Sequence, residues 1–155
     1  MFYVSKGSIR RCVLRVVVLS QEITDRRAQI YNCTKVLEKG IGDRATPMAQ
    51  SKKRSRMKTL FVELSQLDEV RVDLEAIFGD VQNLARIFGV RSSPENVHDM
   101  YLSMCTVRTT RKAKSLRQSV VRLRNNVRSS VDAVYQPGGP GYHLARQSFE
   151  AAQEG

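Results

Sequence analysis

The sequence predicts an all-α fold: an antiparallel helical hairpin or coiled coil of two long helices, with a shorter N-terminal helix and a flexible basic N-terminal arm. Three observations carry this expectation. Apolar residues recur at alternating three- and four-residue steps, the period of one helix face, from Leu60 onward. Serine, proline and glycine fall between those stretches where helices start and stop. The charge is laid out in complementary blocks, with residues 1–58 at +10, 59–99 at −5 and 100–155 at +6. At 155 residues the chain has room for about one domain of the usual roughly 100–200 residues. Its 41% hydrophobic content supplies a core and excludes wholesale disorder. No apolar run approaches the ~18 residues of a membrane span.

The spacing divides the chain into four segments. Residues 1–19 hold Lys6, Arg10, Arg11 and Arg15 without an acid, and read as a basic arm or a targeting-like segment. Residues 20–58 read as a short helix over 20–39, with Ser20 as N-cap and Gly40 as stop, followed by a linker. That linker collects Gly40, Gly42 and Pro47 and ends in the cluster Lys52, Lys53, Arg54, Arg56 and Lys58. Such a cluster can be a nuclear-import or phosphate-contacting patch, or a solvated helix start; both readings stay open.

Residues 59–135 carry the hairpin. Leu60, Leu64, Leu67, Arg71, Leu74, Phe78, Val81, Ala85 and Phe88 form one seam, interrupted only by Arg71, and Val70, Ile77 and Leu84 form an adjacent stripe. Arg71 either lies at the edge of the stripe, paired with Glu75 or Asp68, or fixes register against a partner's acid. Gly89 closes this helix, and Ser93-Pro94 opens the next, which extends toward Tyr135 with a break near Thr109-Thr110. Its seam is Leu116, Val120, Leu123, Val127, Val131 and Val134. The short Gly89-to-Pro94 connection predicts that the two helices fold back antiparallel. Residues 136–155 begin with a Pro/Gly turn and continue as a tail, where a short helix over 142–152 is allowed.

No chemistry-bearing constellation emerges. Cys12, Cys33 and Cys105 are too scattered for a zinc site, and His98 and His143 stand 45 positions apart. The acidic pairs Asp68/Glu69 and Asp73/Glu75 do not share helix faces. The glycines at 138, 139 and 141 lack the strand and the lysine of a phosphate-binding loop. We therefore expect no enzyme, no cofactor, no metal and no small-molecule substrate. Lys114, Arg117, Arg124 and Arg128 make a basic row that either tracks the phosphates of RNA or anionic lipid, or faces the acidic helix. No aromatic residue lies between Val107 and Val134 to stack a base.

Residues Leu67-Asp68-Glu69-Val70-Arg71-Val72-Asp73-Leu74-Glu75-Ala76-Ile77-Phe78 resemble the signature of the KxDL family, coiled-coil subunits of the complex (BORC) that couples lysosomes to kinesin transport. The family's lysine falls at Arg71, its aspartate at Asp73 and its leucine at Leu74, followed by a similar acid-x-Ile-Phe. Val81 and Leu84 fall at its apolar positions. The likeness covers about 25 residues; arginine stands for the lysine, and the basic helix after Pro94 has no counterpart. It implies a non-catalytic subunit that co-folds with other helical subunits at an organelle surface.

The leading expectation is thus a helical scaffold or adaptor subunit, cytoplasmic or peripheral at organelle membranes, with other helical subunits as partners. Its interface would comprise Leu60, Leu64, Leu67, Arg71, Asp73, Leu74, Phe78, Val81, Leu116, Val120, Leu123 and Val127. The alternative is an RNA-binding or ribosome-associated protein, mitochondrial in setting, whose anionic partner meets Lys52, Lys53, Arg54, Arg56, Lys114, Arg117, Arg124 and Arg128.

Overall fold

The computed structural model describes residues 4–40, 46–91 and 110–138, and these fold as three helices. They are α1 (Lys6–Gly40), α2 (Pro47–Ile87) and α3 (Ala113–Tyr135). No strand occurs among the described residues. The fold is all-α, an antiparallel pair of long helices with a shorter third one. The long pair is α1 and α2, however, and the shorter helix is the C-terminal one rather than the N-terminal one.

Helix α1 starts at Lys6, well before Ser20, so the expected arm is the first half of a 35-residue helix. Its start is built from two serines. The Ser8 amide donates to Ser5 Oγ at 3.2 Å, and the Ser5 amide donates to Ser8 Oγ at 3.0 Å. This is the reciprocal logic of a capping box with serine in place of glutamate. Val4 and Ile9, at the staple positions on either side of the cap, are both buried. Cys12, Val13, Val16, Leu19 and Ile23 continue the face into the core. Burial of these side chains, worth about 1.5–3 kcal/mol for each Val, Leu or Ile, outweighs the weak helix propensity of the β-branched run.

Helix α2 begins inside the expected linker. Thr46 accepts from the Ala49 amide at 3.2 Å, and Pro47 follows where a helix needs no N–H. The basic cluster at 52–58 is therefore helical. At the other end Gly89 adopts φ +65°, its amide reaching Arg86 O at 3.3 Å while Val90 N–H reaches Ala85 O at 2.8 Å. That pattern is a Schellman motif, and the burial of Val90 supplies its apolar contact. The Ser93-Pro94 helix start and the 142–152 helix fall outside the described residues. Helix α3 ends at Tyr135, ahead of the Pro/Gly turn.

Cross-helix neighbours fix the directions. Val16 and Val17 lie beside Leu74 and Phe78, Arg26 meets Glu63, and Leu37 borders Arg56, so α1 and α2 are antiparallel. Glu63 meets Ala113 and Glu69 meets Arg117, so α2 and α3 run parallel. Glu22 pairs with Arg111 while Arg11 and Arg15 border Ser119 and Arg122, so α3 is antiparallel to α1. The antiparallel return expected between the 59–89 helix and its successor is thus replaced by a parallel one. The antiparallel partner of α2 is α1, which supplies the apolar face expected after Pro94. One core joins all three helices, with Ile9, Ile23, Leu67, Leu84, Leu116 and Leu123 fully buried.

Candidate functional site

The three helices come together at Glu63. Its carboxylate accepts from Arg26 Nε and Nη2, both at 2.7 Å, and from the Ala113 backbone amide at 3.2 Å. Lys112, the N-cap of α3, makes no side-chain cap, and the first turn has no acid, so a carboxylate from α2 does both jobs across the interface. The hydrogen bond from Arg26 is the main reason the Glu63 carboxyl is held below its ordinary value. Desolvation opposes that shift, and the Ala113 amide and the charges of Arg26 and Lys112 reinforce it. The same hydrogen bond raises the Arg26 guanidinium. Alongside, Arg111 pairs with Glu22, Arg117 with Glu69 at 2.8 Å, and Arg27 with Asp68 at 3.4 Å. The last is an ion contact without a hydrogen bond, since Arg27 Nε and Asp68 Oδ1 are buried with no bonding partner.

Helix α3 begins at this level, whereas α1 and α2 continue past it. On α1 the face of Glu22 and Arg26 proceeds in helical steps through Gln29, Cys33, Val36 and Leu37. On α2 the face of Glu63 proceeds backward through Thr59, Arg56, Lys52 and Met48. These faces flank a groove of about 330 Å³ lined by Gln29, Asn32, Cys33, Val36, Leu37 and Arg56. It is the position a third helix would fill, and it is open among the described residues. Val36 is 69% exposed and Met48 70% exposed.

The electrostatics differ between the two ends. In the three-helix half, four acids of α1 and α2 each meet an arginine, three on a neighbouring helix and one, Arg111, just ahead of α3. In the two-helix end, residues 28–40 and 46–62 carry Lys35, Lys39, Lys52, Lys53, Arg54, Arg56 and Lys58 against Glu38 alone. None of the seven cations makes an ion pair among the described residues. A second groove, between α1 and α3, sets Arg11, Arg15, Arg111 and Arg122 over Leu14, Val18 and Leu19, with Arg111 already engaged by Glu22.

The expected interface residues fall elsewhere. Leu60, Leu67, Leu74, Val81, Leu116, Val120, Leu123 and Val127 are buried in the chain's own core, and Leu64 and Phe78 pack at its edge. These seams are closed against each other and against α1, so they offer no free face to a partner. Arg71 and Asp73 are exposed, and Arg71 pairs with neither Glu75 nor Asp68 among the described residues. Of the basic row, Arg117 faces the acidic helix through Glu69, while Arg124, Arg128 and Lys114 have no ion pair among the described residues. Lys52, Lys53, Arg54 and Arg56 sit together on the two-helix end. Sequence reasoning missed Glu63, Arg26 and Val36. A usable signal was present for Arg26, which interrupts the apolar spacing between Ile23 and Ile30 and therefore calls for an acid opposite it.

No described helix is long and apolar enough to cross a membrane. No family model matches the sequence, nor does any curated protein or solved structure.

Proposed function

We propose that this chain is a non-catalytic helical scaffold or adaptor subunit that receives a helix of a partner protein in the open third position between α1 and α2. The supporting observation is the unequal length of the helices. α1 continues for 14 residues beyond Arg26 and α2 begins 16 residues before Glu63, with no third helix beside them among the described residues. A two-helix pair buries only part of each apolar face, and helices so exposed gain most by adding a neighbour. The likeness of residues 67–78 to the KxDL signature supports the same class of role, a subunit that co-folds with other helical subunits at an organelle surface. A second reading uses the same end differently: its unpaired cations would contact the phosphates of RNA.

The test is a tagged pull-down from native cells with and without nuclease, comparing the natural chain with Val36→Asp. Val36 is exposed, so the variant should keep its fold within about 0.5 kcal/mol. The scaffold reading expects helical co-subunits that survive nuclease and are lost from the variant. Co-subunits retained at full yield by Val36→Asp would overturn it, and ribosomal proteins released by nuclease would favour the second reading.

A further inference from the structure

We infer that the occupant of this position is an acidic amphipathic helix of about 16 residues, its apolar stripe on Cys33, Val36 and Leu37 and its carboxylates on Lys52 and Arg56. The inference deepens the scaffold reading and rests on it. The length follows from the stretches of α1 and α2 that lack a third helix, each about 21–24 Å at 1.5 Å per residue.

The charge follows from the bundle itself. Where α3 joins the long pair, near Glu63, arginines face acids across the elements: Arg26 with Glu63, Arg117 with Glu69, and Arg111, just ahead of α3, with Glu22. Beside α3 the acids come from α2, through Glu63 and Glu69. In the two-helix end α2 carries Lys52 and Arg56 and no acid, so a third helix there meets cations and must itself bring the carboxylates. Arg56 and Lys52 lie one and two turns from Thr59 on the face that Glu63 turns toward Ala113. A partner with like charge would be repelled, which disfavours a second copy of this basic chain. Nucleic acid would satisfy the cations but leave Val36, Leu37 and Met48 uncovered. The cations also spread around α2 instead of forming one row for a phosphate backbone.

The experiment uses the full chain and synthetic 16-residue amphipathic peptides with leucine at the seam positions. One bears glutamate on its flanks, one glutamine and one lysine, and each carries a haloacetamide on its apolar face. A 16-nucleotide poly(U) RNA and phosphatidylserine vesicles are tested in parallel. Binding is read by fluorescence anisotropy, and the site by mass-spectrometric mapping of the alkylated cysteine. The glutamate peptide should bind at least tenfold more tightly than the glutamine peptide at 50 mM NaCl and alkylate Cys33. That preference should shrink severalfold at 500 mM NaCl as screening shortens the Debye length. It should disappear in the Lys52→Glu, Arg56→Glu double variant.

Equal binding of the glutamate and glutamine peptides at Cys33 would overturn the acidic partner while leaving helix docking intact. Failure of every peptide to reach Cys33 would overturn the docking reading as well. Tighter binding of RNA or vesicles, abolished by the same double variant, would assign the cations to phosphate and overturn the inference.

Discussion

Replacing Glu63 by glutamine tests the junction that organises the fold. The substitution keeps the shape but removes the charge that holds Arg26 and caps α3. Both side chains of the pair are largely shielded, 13% and 14% exposed, so solvent screens the interaction little. Hydrogen bonds to a charged group contribute about 1.5–3 kcal/mol. Glutamine can accept one bond from Arg26 but cannot offer two charged acceptors while still serving the Ala113 amide. We therefore expect a loss of about 1.5–3 kcal/mol at pH 7, or about 5–9 °C in Tm for a chain of this size. The pH dependence sharpens the test. Because folding holds the Glu63 carboxyl below its ordinary value, its stabilisation is complete above about pH 4.3 and is lost as pH falls through the folded value. Thermal unfolding followed by circular dichroism at pH 7 and at pH 2.5 should show the gap between natural chain and variant closing at the lower pH. A double-mutant cycle with Arg26→Gln should give a coupling of about 0.5–3 kcal/mol. An unchanged Tm at pH 7, or a gap that persists undiminished at pH 2.5, would refute the assignment of Glu63 as the shared partner of three helices.

Three further outcomes follow from the packing. Leu67→Ala and Leu123→Ala, both at fully buried positions, should each cost about 2–5 kcal/mol in urea unfolding, whereas Arg117→Gln, in an ion pair 50% and 66% exposed, should cost less than about 1 kcal/mol. Spin labels at Asn83 and Asp132 should lie within about 20 Å by electron-electron resonance, because parallel α2 and α3 bring these residues level; an antiparallel pair would separate them by more than about 40 Å. Maleimide at pH 8 should modify Cys33 in the folded chain and spare Cys12 until denaturant is added, since burial both covers the Cys12 thiol and raises its pKa despite the opposing charges of Arg11 and Arg15.

The seam from Leu60 to Val81 could be read in advance because its signal is local: steps of four and three residues place side chains on one side of a helix whatever packs there. Gly89 was legible for the same reason, since a glycine after a periodic run marks a left-handed helix end. The first half of α1 was not. Ser8 stands where glutamate usually completes a capping box, and a β-branched run among arginines has the look of an arm until its burial is known. Thr46-Pro47 lies in a Gly/Pro-rich stretch that reads as a loop, yet the same two residues begin a helix, because proline breaks a helix only when turns precede it. The seam residues were correctly apolar but their role as a partner interface was not legible, since periodicity shows that a face is covered and not by whose chain.

Helical character, the positions of the apolar stripes and the alternation of basic and acidic blocks are written in short-range spacing, and they require nothing beyond the geometry of one turn. The choice of neighbours is different in kind. That α2 lies antiparallel to α1 and parallel to α3 depends on residues 37 and 50 positions apart meeting at one carboxylate, where Arg26 and Ala113 both reach Glu63. The open position beside Cys33 and Val36 arises from the same long-range register, because it exists only where α3 begins level with Glu63 while α1 and α2 run on.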